Sequence, residues 1–320
     1  MIIDAQDRRM LNGRTHPKPG TTKERMETAL HAVEARMNGI VASDVDVLRD
    51  ASRHIIGAGG KRLRPRLLVL AYLATGGTDV DTTIDPASAV ELVHTASVVH
   101  DDINDHGVLR RGRPSVNKLW GRTFALLAGD FLFTKVYELM APFQDMNVVL
   151  SEATVALVEG ETMQAAAVKD SNFTSEVYAE IIARKTAALF RSAAEIGARM
   201  AGATATQIEA LRTFGFNIGM AFQIVDDILD IVGDEASLGK TSHLDVQQGR
   251  GFAVAHTSEE SGDVMDSIKQ RLLQGDTLEQ ARLQARMLVE SAVAQLDVLP
   301  DGEGKDEMIA LAHATIERTA

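Results

Sequence analysis

The amino-acid sequence predicts an all-α protein, a single-domain bundle of about a dozen helices. Three observations predict it. Proline (7) and aromatic residues (4%) are scarce while Ala, Leu, Met and Glu are plentiful, a balance that favours helix over strand. Apolar residues recur at spacings of three and four over stretches too long for strands. Glycine-bearing breaks separate those stretches.

In chain order, residues 1–20 read as a loosely held arm and residues 21–320 as the helical domain. Breaks follow at Gly57–Gly60, Gly76–Gly77, Gly107–Pro114 and Gly233–Gly239, with softer ones near Ser171 and Gly302. One stripe runs through Leu92, Val93, Ala96, Val99 and Ile103. Another runs through Ile218, Ala221, Phe222, Val225, Ile228, Leu229 and Val232. No sheet is expected, and no repeat of fixed period stands out.

Composition narrows the function. A net charge of −12 argues against general nucleic-acid affinity, which needs a basic face, and predicts repulsion from anionic lipid. The chain has no cysteine, so disulfides, thiolate metal sites and cysteine nucleophiles are excluded. The N-terminal stretch lacks the apolar core of a signal peptide, and no window approaches the roughly 18 apolar residues of a membrane span. A cytoplasmic location is expected.

One five-residue acidic pattern occurs twice, as Asp101-Asp102-Ile103-Asn104-Asp105 and Asp226-Asp227-Ile228-Leu229-Asp230. On a helix, residues four apart share a face, so Asp101 and Asp105 can aim at one point, as can Asp226 and Asp230. Both patterns sit on apolar helices. Clustered carboxylates repel, and burial raises their pKa unless a cation compensates. Oxygen-only ligation suits magnesium, which keeps waters and shares its remaining positions with substrate phosphates. Cations to match lie in Gly59-Gly60-Lys61-Arg62-Leu63-Arg64-Pro65 and in Arg110-Arg111-Gly112. Arginine forks grip phosphate oxygens, and lysine acts as a point charge.

These segments make the chain resemble the trans-prenyltransferases, the polyprenyl diphosphate synthase family, from about residue 30 to the C-terminus. The landmarks come in order: GGKRLRP at 59–65, ELVHTASVVHDDIND at 91–105, LRRGRPS at 109–115 and GDFLF at 129–133. EGETMQ follows at 159–164, KTAALF at 185–190 and FQIVDDILDIVGDEASLGK at 222–240. The resemblance implies the isoprenoid synthase type of fold, with the two aspartate clusters facing each other at the mouth of a deep central cavity.

It also implies roles. Lys61, Arg64, His94 and Arg111 match ligands for isopentenyl diphosphate, His94 lying two helical turns before Asp101 on the same stripe. Asp101, Asp105, Asp226 and Asp230 match ligands of magnesium, up to three ions. Arg110, Lys185, Thr186, Gln223 and Lys240 match groups around the allylic diphosphate and its metals, and Arg250, which keeps the charge but not the reach of the family's lysine, is set with them as substrate-binding. Asp102, Asp227 and Lys185 join those four aspartates in the catalytic set. Where the family usually continues Gly-Lys-x-Thr-Leu-Pro after the position of Asp245, this chain reads Gly249-Arg250-Gly251-Phe252-Ala253-Val254.

The implied activity is condensation of isopentenyl diphosphate with an allylic diphosphate by magnesium-assisted ionisation. The family usually forms homodimers, so a homodimer is expected, with no nucleic-acid partner and at most transient membrane-surface contact on product release. Ala96 and Ser97, five and four residues before Asp101, are small where a bulky aromatic blocks elongation in the family. That predicts a product of about C30 to C50, with Phe131, Phe133 and Met140 as candidate floors from another helix. The alternatives are a short-chain C15–C20 synthase and a non-catalytic partner subunit. Leu238-Gly239-Lys240-Thr241 resembles the end of a P-loop, but the glycine that motif needs is Asp234 here. A terpene cyclase holds no second diphosphate, which Lys61, Arg64 and Arg111 argue against.

Overall fold

The computed structural model describes residues 20–232 and 277–317. Lys240, Arg250 and the Gly249–Val254 departure lie outside the described residues, as does the expected arm up to residue 19. Helix α1 (Thr22–Ile40) opens with a capping box in which Thr21 accepts from the Glu24 backbone and Glu24 accepts from the Thr21 backbone. Such a cap is worth about 1 kcal/mol. Its buried residues Met26, Ala29, Val33, Met37 and Ile40 keep the helical spacing.

Helices α2 (Asp46–Ile56), α3 (Leu63–Ala74) and α4 (Ile84–Asn104) follow. On α3 every residue from Leu67 to Ala74 is buried, the pattern of a helix enclosed on all sides. Helix α4 is buried along most of its length, from Pro86 to Ile103. After it, Leu109–Arg110 (β1) pairs antiparallel with Arg113–Pro114 (β2). The sequence reading expected no sheet, and this small hairpin corrects it. The cause is local: Arg111 (φ 52) and Gly112 (φ 71) take the paired positive φ that suits a two-residue hairpin turn.

Helices α5 (Val116–Trp120), α6 (Arg122–Met140), α7 (Gln144–Lys169) and α8 (Ser175–Ile182) continue the chain. A single π-turn, Ala183–Ala187, leads into α9 (Ala188–Met200) and then α10 (Ala205–Val232). Helices α11 (Thr277–Gln295) and α12 (Glu303–Ile316) complete the described residues. The main packings are α4 on α6, α3 on α9, and α10 on both α9 and α11. The expected all-α bundle is thus what forms. Among the described residues, no helix is long and apolar enough to cross a membrane.

One polar tie crosses this core. Arg62, left-handed (φ 49) at the N-cap of α3, is only 6% exposed. Its guanidinium donates to Glu91 Oε1 at 2.9 Å, to the Ile56 carbonyl at 3.0 Å and to Glu34 Oε1 at 3.3 Å. Arg62 therefore turns inward, and the junction of the Lys61 loop with the first turn of α3, which carries Arg64, is pinned to α4. Removing one partner of a buried pair strands the other charge. Glu91→Ala is expected to cost about 3 kcal/mol, read as a lowered denaturation midpoint; a loss below about 1 kcal/mol would mean Glu34 alone balances Arg62.

Candidate active site

The first aspartate pattern ends α4. No basic residue lies in the last turn of that helix, and Asp105 is its C-cap. Carboxylates there face the negative end of the helix dipole, an opposition of about 0.3–1 kcal/mol each. Local stability does not explain such a placement, so compensation has to come from other elements.

Two of those elements are visible. The Arg110 side chain, from β1, donates to Asp102 Oδ1 through Nε at 3.0 Å and Nη2 at 2.6 Å. Asp102 is buried, and burial raises its pKa despite the attraction of Arg110. Lys185, from the π-turn, sets its ammonium 3.8 Å from Asp101 Oδ2. The same ammonium lies 2.7 Å from Glu161 Oε1 and 3.5 Å from Gln164 Oε1, both on α7. Burial above all, with the neighbouring Asp101 adding, pushes the Glu161 pKa up to about 7 against the pull of Lys185.

This approach of the π-turn to α7 depends on Gly160. A Cβ there would lie 2.6 Å from the Lys185 backbone nitrogen and 3.0 Å from its Cα. π-Turns recur at functional sites because one extra residue re-aims the side chains. Here the turn aims Lys185 at the first aspartate pattern and Thr186 at the second. Thr186 Oγ1 donates to Gln223 Oε1 at 2.8 Å, and Gln223 Nε2 donates to Asp227 Oδ1 at 2.7 Å. The buried Tyr178 hydroxyl, from α8, donates to Asp227 Oδ2 at 2.8 Å.

The two patterns share a feature, although the outer Asp230 is itself buried, 2% exposed, while Asp105 is half-buried. In each, the middle aspartate is buried and tied: Asp102 to Arg110, Asp227 to Gln223 and Tyr178. The outer pair is spaced four apart on one helical face, Asp101 with Asp105 and Asp226 with Asp230. Among the described residues, no three acidic or histidine side chains close around a single point by themselves. Paired carboxylate oxygens are a donor set that suits magnesium, which binds through one or two carboxylates, waters and substrate phosphates.

Beside the carboxylates lies a group of cations. Arg64 on α3 is 8% exposed, and its Nε is buried with no hydrogen-bond partner among the described residues. Its guanidinium sits 4.6 Å over the Phe190 ring of α9, and Phe190 packs on Phe222 of α10 at 5.4 Å. Burial pushes its pKa down to about 10, with Glu91 and Asp226 opposing and Arg111 adding. It stays charged at neutral pH. Arg111, at the hairpin turn, lies against Gly60; a Cβ on Gly60 would stand 2.7 Å from its Nη1. Lys61 is exposed beside it. His94 is held neutral, its pKa well below the ordinary range, by burial first and then by Arg64, Arg111, Arg110 and Arg62. Converging arginines with an unpartnered buried N–H make a receptor for an anion.

The structure thus brings together Asp101, Asp102, Asp105, Arg110, Lys185, Thr186, Gln223, Asp226, Asp227, Arg64, His94 and Arg111 through contacts and mutual fields. Sequence reasoning missed Glu161, Gln164, Tyr178 and Phe190. Three of these fell inside or beside quoted landmarks, but nothing in their spacing declared a partner. Ala96 is fully buried and Ser97 nearly so, with Ser97 Oγ donating to the His94 carbonyl at 2.9 Å. At about 100° per residue, Ser97 shares the face of Asp101 while Ala96 is turned some 140° from it. Phe133 packs against His100 at 6.0 Å, Phe131 lies under the Lys135 ammonium at 5.2 Å, and Met140 is fully buried.

A family model described as Polyprenyl synthetase matches residues 45–287. The octaprenyl diphosphate synthase of Escherichia coli is 34% identical over 296 residues, 86% of this chain and 91% of that protein. A short chain isoprenyl diphosphate synthase of Methanothermobacter thermautotrophicus is 37% identical over 297 residues, 85% of this chain and 91% of its own length. Among solved structures, a polyprenyl synthase from Caulobacter crescentus complexed with calcium and isoprenyl diphosphate superposes with TM-score 0.86. It is 32% identical and covers 95% of this chain and 100% of that one.

The neutral His94 has a consequence for stability. The unfolded chain takes up a proton there as pH falls through about 6.5, and the native, unliganded protein does not. Its contribution is therefore full above about pH 6.5 and drains away as pH drops below it. Melting temperatures from pH 7.5 to 5.5 should fall more steeply for the wild type than for His94→Gln; parallel curves would contradict a neutral His94.

Proposed function

This chain belongs to the polyprenyl synthetase family and is a prenyltransferase, and we propose that it condenses isopentenyl diphosphate with an allylic diphosphate to a product of about C30 to C50. The observation that carries the reading is the meeting at one π-turn of two paired-carboxylate patterns, beside a group of arginines. Residues 21–320 form the catalytic unit in this reading, with residues 1–20 as an arm. A cytoplasmic enzyme touching a membrane surface only as product leaves suits the acidic, cysteine-free chain.

Asp101 with Asp105 and Asp226 with Asp230 are the residues that would hold magnesium, up to three ions. The metal would supply Lewis-acid neutralisation of charge on the departing diphosphate. Lys185, assisted by Thr186, Gln223, Lys240 and Arg250, adds cationic and hydrogen-bond stabilisation to the same oxygens as the allylic C–O bond breaks. Arg64, Arg111 and Lys61 hold the diphosphate of isopentenyl diphosphate, and the buried Arg64 Nε gains its missing partner there. Neutral His94 gives a directed hydrogen bond without further cationic repulsion. The double bond of isopentenyl diphosphate attacks the allylic cation, and a proton is lost to the released pyrophosphate. Asp102 and Asp227 act as positioning residues, since each is already committed to protein partners.

The chain-length reading rests on the small side chains at Ala96 and Ser97. The relatives themselves range from short-chain to octaprenyl synthases. A homodimer is proposed from a further observation. Leu126, Leu127 and Tyr137 on α6, with Val148, Val155 and Val158 on α7, are all exposed, Tyr137 to 70%. Two neighbouring helices with such faces call for a self-complementary partner.

Four measurements test the reading. Purified protein given both diphosphates and magnesium should elongate them, lose turnover in chelator and regain it with added magnesium; metal-independent turnover would end the proposal. Asp101→Asn and Asp226→Asn should each lower kcat by about 10² or more, as loss of a transition-state charge contact does. Ser97→Phe should shorten the product more than Ala96→Phe, because only Ser97 shares the face of Asp101. Unchanged product sizes in both would remove the chain-length argument. Val155→Glu with Tyr137→Glu should halve the mass in sedimentation if the exposed faces pair.

A further inference from the structure

Glu161 has no part in the reaction outlined above, yet its carboxylate lies 2.7 Å from the Lys185 ammonium. Around the same ammonium stand Gln164 Oε1 at 3.5 Å and Asp101 Oδ2 at 3.8 Å. A lysine ammonium has three donors on a flexible four-carbon stem, and side-chain entropy opposes holding it in one place. Here three oxygens from two helices surround it. Two of them, Glu161 and Gln164, come from α7, and the helix reaches this close because residue 160 is glycine. The three charged side chains are each about four-fifths shielded from solvent, so their interactions are weakly screened.

We propose that Glu161 is a positioning residue for Lys185: from behind, it anchors the ammonium at the edge of the first aspartate pattern, so that the charge is in place before the allylic diphosphate arrives. The inference rests on the proposed condensation, in which Lys185 stabilises the leaving group. Pre-placement of this kind acts on the chemical step, because the cost of ordering the lysine is met during folding and not in the transition state. Gln164 sets the lateral position. Asp101 limits how far the ammonium can advance without a ligand.

A double-mutant cycle on the full chain separates this role from a general structural one. The four proteins are wild type, Glu161→Gln, Lys185→Ala and the double variant, assayed at saturating magnesium for kcat and for both substrate KM values. Glu161→Gln keeps size and an acceptor but removes the charge. It should lower kcat about ten-fold and raise the allylic KM, leaving the isopentenyl KM within about two-fold. In the Lys185→Ala background the same change should alter kcat less than about two-fold. Glu161→Asp, which restores the charge on a shorter stem, should recover part of the loss.

Equal losses in both backgrounds, or no loss in the wild-type background, would overturn the proposal. So would a shifted magnesium dependence that persists without Lys185, which would make Glu161 a metal ligand instead. If Glu161→Gln melts well below the wild type, the Glu161→Asp result decides: recovered stability without recovered kcat counts against positioning. Wild-type protein that fails to condense the substrates at all would refute the underlying reaction and not the Glu161–Lys185 coupling.

Discussion

Charge of one sign gathered in partly buried space is the constraint on which this molecule turns. Asp101, Asp102 and Asp105 crowd the negative end of α4, and Asp226, Asp227 and Asp230 crowd a single turn of α10. Each carboxylate raises the cost of ionising its neighbours, and burial raises it further. The protein answers part of that cost with its own groups. Arg110 takes Asp102, Tyr178 and Gln223 take Asp227, and Lys185 stands between Asp101 and Glu161. The outer carboxylates are what divalent cations and a diphosphate would bridge.

The opposite imbalance lies beside it. Arg64, Arg111 and Arg110 lie around a histidine kept neutral first by burial and then by their charge, and the buried Arg64 Nε has no hydrogen-bond partner among the described residues. An acidic region and a basic region side by side suit two polyanions that arrive by different means, one with metal and one without. Phe190 links the regions, its ring under the Arg64 guanidinium and against Phe222, four residues before Asp226 on the site helix. The π-turn links them again through Lys185 and Thr186. A rigid frame is needed for this: α3 and α4 are almost wholly buried, and Arg62 pins the basic loop to α4 through Glu91.

The helical class, the breaks near Gly57–Gly60 and Gly107–Pro114, and both acidic patterns were legible in the residues alone. They depend on spacings within one segment, which a sequence displays directly. The hairpin at Arg111-Gly112 was not, because arginine is an unusual residue to take positive φ and nothing local announces it. Asp102 and Asp227 looked like equals of their neighbours, since identity and spacing do not reveal which way a carboxylate turns.

What the sequence by itself determined was therefore the chemistry available: oxygen ligands four apart on apolar helices, arginines for phosphate, a family pattern covering most of the chain. Only the tertiary structure decided which of those groups face one another and which are spent on holding the others. Glu161 meets Lys185 twenty-four positions along the chain, and Tyr178 meets Asp227 across forty-nine. Contacts of that span depend on how α7, α8, α9 and α10 pack, and small residues such as Gly160 determine how close the backbones come. Packing is a property of surfaces meeting, and no single segment encodes both of its sides.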